Sequence, residues 1–200
     1  MRELLELINI INQQYEIVCK KWEDDPGYIP IHMKKNRVED FYKDDNLLQH
    51  VFNYRQFIID NISELFDEIQ NFGFKNRVNS RVKAINSIQF KIQNYEQKHE
   101  NGKIAIKKCF NDILGIRIIL EEEIDYDETI DVLKKYYPNL KCIKSIRGEY
   151  EAIHIYFGDK SNFRFQWELQ VWEKSKEKTN IASHAEYKQD YTKWEQENSI

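Results

Sequence analysis

Arg81, Lys83, Ser87 and Lys91 bring a guanidinium, two ammonium groups and a hydroxyl into one short stretch. Farther along, Asp112 opens the run Asp112-Ile-Leu-Gly115-Ile-Arg117, and Glu168 opens Glu168-Leu-Gln170. Cations with a hydroxyl can hold a polyphosphate. Two carboxylates that converge in a fold can hold the Mg²⁺ that accompanies one. The combination points to an enzyme that moves phosphoryl groups, chemistry that needs positioning and charge neutralisation more than covalent catalysis.

These groups must be carried by regular elements. Spacing predicts an amphipathic helix over 84–98, with Ile85, Ile88, Ile92 and Tyr95 on one face. Ser87, Lys91, Asn94 and Lys98 then stack along another edge. A strand is expected over 74–83, and a buried Ile- and Leu-rich strand over 113–120. A helix over 126–137 and a strand over 140–146 follow. Two alternating strands come next. In 150–157, Tyr150, Ala152, His154 and Tyr156 alternate with Ile153, Ile155 and Phe157. In 163–171, the period of two sets Glu168 and Gln170 opposite Phe163, Phe165, Trp167, Leu169 and Val171. Asp112 and Arg117 stand an odd number apart, so one regular strand would turn them to opposite faces. Bringing them together needs a bulge near Gly115, or Asp112 lying before the strand proper.

Upstream, Leu4, Ile8, Ile11, Tyr15 and Val18 predict a helix over 1–22. Asp24-Asp25-Pro26-Gly27 and Pro30 mark a connection over 23–36. A second helix is expected from about 38 to 71, striped by Ile58, Ile62, Leu65, Phe66 and Ile69 and ended by Gly73. A closing helix over 179–195 would align His184, Tyr187, Tyr191 and Trp194. The expected fold class is α/β (α+β): a mixed sheet of about five strands flanked by helices. The expected organisation is an N-terminal helical segment, 1–72, followed by a domain over 73–200, in one compact unit.

Two hundred residues, 41% apolar and 32% charged, suit a globular chain with a sizeable core. Apolar stretches fall far short of the roughly 20 residues that cross a bilayer. The start, Met-Arg-Glu-Leu-Leu-Glu-Leu, carries acids where a signal peptide needs an apolar run, so a cytoplasmic location is expected. Cys19, Cys109 and Cys142 have neither disulfide-framework nor zinc-site spacing and are expected as buried thiols. A net charge of −4 argues against indiscriminate nucleic-acid binding but leaves room for a local basic patch. A Gly-rich phosphate loop with a following Lys-Ser/Thr is absent from the sequence.

Taken in order, Arg81-x-Lys83-x-x-x-Ser87, Lys91, Asp112-Ile-Leu-Gly-Ile-Arg117, Tyr150-Glu-Ala-Ile-His154, Glu168-Leu-Gln170 and His184-Ala-Glu-Tyr187-Lys188 resemble the synthetase domain of the RelA/SpoT homologue family. The resemblance covers roughly 74–190 and implies a nucleotidyltransferase-like synthetase fold that transfers pyrophosphate from ATP to a ribose 3′-hydroxyl. It implies that Arg81 and Arg117 sandwich the adenine and that Lys83, Ser87 and Lys91 hold the ATP phosphates. It implies that Asp112 and Glu168 bind Mg²⁺, that Tyr150 stacks on the acceptor base with His154 and Gln170 nearby, and that Glu168 helps deprotonate the attacking hydroxyl. The family's alarmone-hydrolysing domain carries a His-Asp pair, and the chain has no such dipeptide.

The chain departs from the family pattern at named positions. Trp172 stands where Glu-x-Gln-Ile-Arg has arginine, Glu151 follows the stacking tyrosine, and Asn94 replaces a frequent arginine. The chain also stops soon after Lys188. A carboxylate beside the acceptor pocket would repel a free nucleotide's 5′-phosphates, so the pattern resembles the toxic branch of small alarmone synthetases. That implies pyrophosphorylation of the tRNA 3′-CCA end, translation arrest and a neutralising antitoxin protein. Distal RNA contacts would come from Lys34, Lys35 and Arg37, or from Lys141, Lys144 and Arg147. The alternatives are alarmone synthesis on GDP or GTP, and an inactive RNA- or protein-binding module.

Overall fold

The computed structural model describes residues 1–98 and 100–183. Five strands form one sheet: β1 (Arg77–Val82), β2 (Leu114–Leu120), β3 (Lys141–Arg147), β4 (Tyr150–Phe157) and β5 (Trp167–Glu173). Their spatial order is β1-β2-β5-β4-β3. β2 and β5 run parallel; the other neighbours are antiparallel. The sheet is therefore mixed, as expected. β5 lies in the middle and every one of its residues is buried, including Glu168, Gln170 and Glu173.

Helices among the described residues include α1 (Arg2–Glu23), α2 (Asp45–Asn61), α3 (Ser63–Phe72), α4 (Ile85–Lys98), α5 (Ile106–Cys109) and α6 (Tyr126–Tyr136). α1 buries Leu4, Leu7, Ile8, Ile11, Tyr15 and Val18 along one stripe, the pattern a surface helix needs to face a core. Those side chains join Ile58 and Leu65 in one cluster with Ile116 and Ile118 of β2, Ile153 and Ile155 of β4, and Leu169 and Val171 of β5. Two hydrogen bonds tie the helices to the central strand and the segment just before it. Tyr15 Oη donates to the Phe165 carbonyl at 3.0 Å, and Trp167 Nε1 donates to Tyr54 Oη at 2.9 Å. Each fully buried Leu, Ile or Val contributes on the order of 1.5–3 kcal/mol, so the helices and one sheet face are held as one core.

Three expectations are corrected. The continuous helix from 38 to 71 is in three pieces: a 3-10 turn (Val38–Tyr42), α2 and α3. Asp44 accepts from the Asn46 amide and so starts a new helix at Asp45. At the far end of α2, Asn61 donates to the Phe57 carbonyl and competes with the helical ladder. The strand placed at 163–171 begins only at Trp167 and continues to Glu173. β4 ends with Phe157 opposite Trp167, so the residues before Trp167 lack a partner strand. The Ser161 hydroxyl instead accepts from the amides of Phe163 and Arg164 and turns them, while Arg164 binds Glu16 and Glu23 of α1. Ile85, expected on the apolar face of α4, is 44% exposed in its first turn; Ile88 and Ile92 are buried.

Gly73 ends α3 in the left-handed conformation, as the sequence predicts. The cysteines are buried and unpaired with one another. Among the described residues, no helix is long and apolar enough to cross a membrane. Residues 177–183 are helical. His184, Tyr187, Lys188, Tyr191 and Trp194 lie outside the described residues.

Candidate active site

The sheet's period of two sorts the candidate residues. In register, Arg81 lies opposite Gly115, Gly115 opposite Glu168, and Arg117 opposite Gln170. His154 lies opposite Gln170, Tyr156 opposite Glu168, and Arg147 opposite Tyr150. Arg81, Arg117, Glu168, Gln170, Tyr150, His154, Tyr156 and Arg147 therefore share one face, the one turned away from the main core. Gly115 leaves room on that face: a Cβ there would already contact the Arg81 side chain at 3.7 Å. Arg81 and Arg117 are diagonal neighbours, a separation of about 7–8 Å that admits one planar ring between two guanidinium planes. Burial, and then the charge of Arg81, lower the Arg117 pKa.

Asp112 lies before β2, which resolves the parity conflict without a bulge. Lys83 follows β1 directly, its amide donating to the Ile113 carbonyl and its own carbonyl accepting from Arg55 Nε at 2.7 Å. Lys83 Nζ reaches one Asp112 oxygen at 2.7 Å, and Lys91 of α4 reaches the other at 3.0 Å. Burial alone would raise Asp112. The two ammonium groups outweigh it and hold the carboxyl well below the usual range. Ser87 stands one helical turn before Lys91, in the first turn of α4. First-turn amides, a hydroxyl and two lysines make this end of α4 suited to a polyanion.

At the centre of the face, Glu168 is 7% exposed and both its oxygens are engaged. Oε1 accepts from Tyr156 Oη at 3.0 Å and lies 3.0 Å from His154 Nδ1; Oε2 accepts from Gln170 Nε2 at 2.8 Å. Burial pushes Glu168 up, as does the Asp112 charge. His154 and Gln170 bring it net below its ordinary value, so it stays ionised. On the far side of His154, Nε2 lies 2.7 Å from Tyr150 Oη. Burial holds Tyr150 protonated, with its pKa pushed up to about 12. The direction of this hydrogen bond is set by the His154 tautomer. Gln170 Oε1 accepts from Arg117 Nε and Nη2 at 3.3 and 3.2 Å. The Arg117 guanidinium lies 3.6 Å over the Trp172 ring.

No family model and no curated protein matches the chain. Among solved structures, the chain is similar to small alarmone synthetase 1 from Bacillus subtilis bound to AMPCPP. The identity is 17%, over 74% of this chain and 81% of that one, with a TM-score of 0.40.

Two sequence expectations fail on this geometry. Glu151, placed beside the acceptor pocket, points to the opposite face from Tyr150. There it pairs with Lys144 at 3.2 Å and Lys176 at 3.4 Å, and Asn180 clamps its backbone amide and carbonyl. It cannot repel phosphates on the Tyr150 face. The Lys141, Lys144 and Arg147 patch is also divided. Lys141 and Arg147 are exposed on the Tyr150 face, while Lys144 turns to α6, where it lies 3.6 Å from Asp127 and over the Tyr126 ring. Lys34, Lys35 and Arg37 are exposed and stay together as a surface patch.

Tyr156 and Trp172 hold the site without having been assigned roles from sequence. The alternation of β4 already placed Tyr156 on the face of His154. The parity of β5 likewise placed Trp172 on the face of Glu168 and Gln170. Among the described residues, no group of three or more His, Cys, Asp and Glu side chains is placed to hold a metal ion. The donor set that does exist is two carboxylates close enough for Asp112 to perturb Glu168. That fits Mg²⁺, which takes one or two carboxylates and fills its remaining positions with water and substrate phosphates.

Proposed function

We propose that the chain is an ATP-dependent pyrophosphotransferase that moves the β,γ-pyrophosphoryl group of ATP to a ribose 3′-hydroxyl. One observation carries the reading. Two lysines share Asp112 at one end of a sheet face, and that face also holds a buried, ionised Glu168 between an arginine pair and a tyrosine. In the reaction, the acceptor O3′ forms a bond to Pβ, the bond from Pβ to the α–β bridging oxygen breaks, and AMP leaves with the electron pair. Arg81 and Arg117 would clasp the adenine. Lys83 and Lys91 would exchange Asp112 for phosphate oxygens, beside Ser87 and the first turn of α4. Asp112 and Glu168 would hold Mg²⁺ arriving with ATP, which supplies charge neutralisation on the transferred group. Glu168, ionised and oriented by His154, Tyr156 and Gln170, would accept the hydrogen of the attacking hydroxyl.

For the acceptor, a free guanine nucleotide, GDP or GTP, gains support from Lys141 and Arg147, which flank Tyr150 and His154 with cations that could meet 5′-phosphates. Glu151 on the other face removes the objection to it. The second reading is the tRNA 3′-CCA end, in a translation-blocking toxin neutralised by an antitoxin. The exposed Lys34, Lys35 and Arg37 favour it as a distal backbone contact. ATP labelled at its terminal phosphates, offered to deacylated tRNA or to GDP plus GTP, tests both. Label on either acceptor with stoichiometric AMP supports transfer and names the acceptor. Absence of label on all of them refutes it.

A further inference from the structure

Six side chains from three strands close a ring of contacts on the site face. Arg117 donates to Gln170, Gln170 donates to Glu168, and Glu168 faces His154 Nδ1. His154 Nε2 faces the Tyr150 phenol. The Tyr150 ring meets Trp172 edge-on, with centroids 6.0 Å apart at 83°. Trp172 then lies flat under Arg117 at 3.6 Å and closes the ring. Trp172 thus touches both Arg117, on the adenine side, and Tyr150, on the acceptor side.

Trp172 is fully buried, and with Ile119, Tyr150 and Ala152 it forms a small apolar cluster separate from the main core. A leucine could fill that volume. It could not offer Arg117 a π-face, and a flat cation on a ring is an orientation-fixing contact. Arg81 and Arg77 repel the Arg117 charge, while Tyr150 and Glu168 attract it. A guanidinium pinned by Gln170 at its edge and by Trp172 on one face has one face left for a planar base.

We infer that Trp172 is a positioning residue that holds Arg117 flat for the adenine of ATP. This rests on the reading of the site as a pyrophosphotransferase. A neutral aromatic here sets the donor arginine without adding a third cation beside Arg81 and Arg117.

The test is binding of a non-hydrolysable ATP analogue by titration calorimetry, with transfer kinetics alongside. Trp172→Leu keeps an apolar filler and removes the π-face. It is expected to weaken the analogue about tenfold and raise the KM for ATP in step, with kcat within about threefold. Trp172→Phe keeps a planar ring and should restore binding to within about threefold of wild type. In an Arg117→Ala background, Trp172→Leu should change nothing further. Trp172→Met serves the same purpose should the leucine variant not fold. Wild-type binding with an unchanged Trp172→Leu, an equal loss in the Arg117→Ala background, or no rescue by phenylalanine would each overturn the inference alone. Failure of the wild type to bind the analogue would overturn the reading of the site as well.

Discussion

Lys83 Nζ lies 2.7 Å from one oxygen of Asp112, with the two side chains only 11% and 13% exposed. Lys91 takes the other oxygen, so one buried anion serves two cations and the cluster keeps an excess positive charge. Asp112→Asn leaves both ammonium groups facing each other without a counter-ion, a loss of about 3–5 kcal/mol. Lys91→Met leaves a one-to-one pair and an apolar stem in place, and should cost no more than about 1 kcal/mol. Urea unfolding at pH 7 compares them: the Asp112 variant should unfold at far lower denaturant, the Lys91 variant near wild type. Equal midpoints would refute the charge-balance account. Both variants should lose transfer.

Tyr150 offers two separable things, a ring and a phenol that hydrogen-bonds to His154 Nε2 at 2.7 Å. Tyr150→Phe keeps the ring and its contact with Trp172, so the acceptor KM should stay within about threefold. Tyr150→Ala removes the stacking surface, which is worth about 1–3 kcal/mol per base, or a KM increase of about 5- to 150-fold. Steady-state kinetics with saturating ATP would check the pair. A Tyr150→Phe variant as impaired as Tyr150→Ala would assign the role to the hydroxyl instead.

The two periodicities account for most of what the sequence made legible. The α1 stripe and the alternation of β4 and β5 follow from burial on one face, so they put Glu168, Gln170, Tyr150 and His154 together correctly. The same parity, applied to β3, separates Lys144 from Lys141 and Arg147, and applied to β4 it turns Glu151 away from Tyr150. Parity assigns a face but not a partner. The Arg117–Trp172 stack joins strands far apart in sequence, and the Glu151–Lys144 pair depends on the β3–β4 register; apolar periodicity encodes neither. The helix break at Ile62 and the late start of β5 depend on side-chain hydrogen bonds of Asn61 and Ser161, and on where β4 ends. Apolar periodicity carries none of these.

Gly158 and Gly148 both have positive φ, +75° and +58°. Either one substituted by alanine incurs the left-handed penalty of about 1–2 kcal/mol. Only Gly158 is also crowded: a Cβ there would collide with the Tyr15 hydroxyl and ring, whereas nothing lies within 4 Å at Gly148. Tyr15 is itself buried and bonded to the Phe165 carbonyl, so it cannot yield cheaply. Gly148→Ala should cost about 1 kcal/mol and Gly158→Ala about 3 kcal/mol or more, adding the overpacking penalty. Thermal unfolding of the two variants would decide, and similar losses would contradict the tight approach of Tyr15.

His50 is 1% exposed, and among the described residues neither ring nitrogen has a hydrogen-bond partner. It stacks on Phe165 and packs against Trp22 and Tyr28. Burial lowers its pKa to about 4, against 6.5 for the free side chain. Between those values the unfolded chain binds more protons than the folded one. Stability is therefore full above about pH 6.5 and falls as the pH drops toward 4, by about 3 kcal/mol across the window. His50→Phe keeps an aromatic ring in the stack, removes both unsatisfied nitrogens and cannot titrate. Measured by urea unfolding at pH 7 and pH 5, the wild type should lose about 2 kcal/mol more than the variant. The variant should be at least as stable at pH 7, because no buried polar group is left unmet. Equal acid sensitivity in the two proteins would mean that the imidazole is solvated or paired at acid pH, and that other groups carry the acid transition.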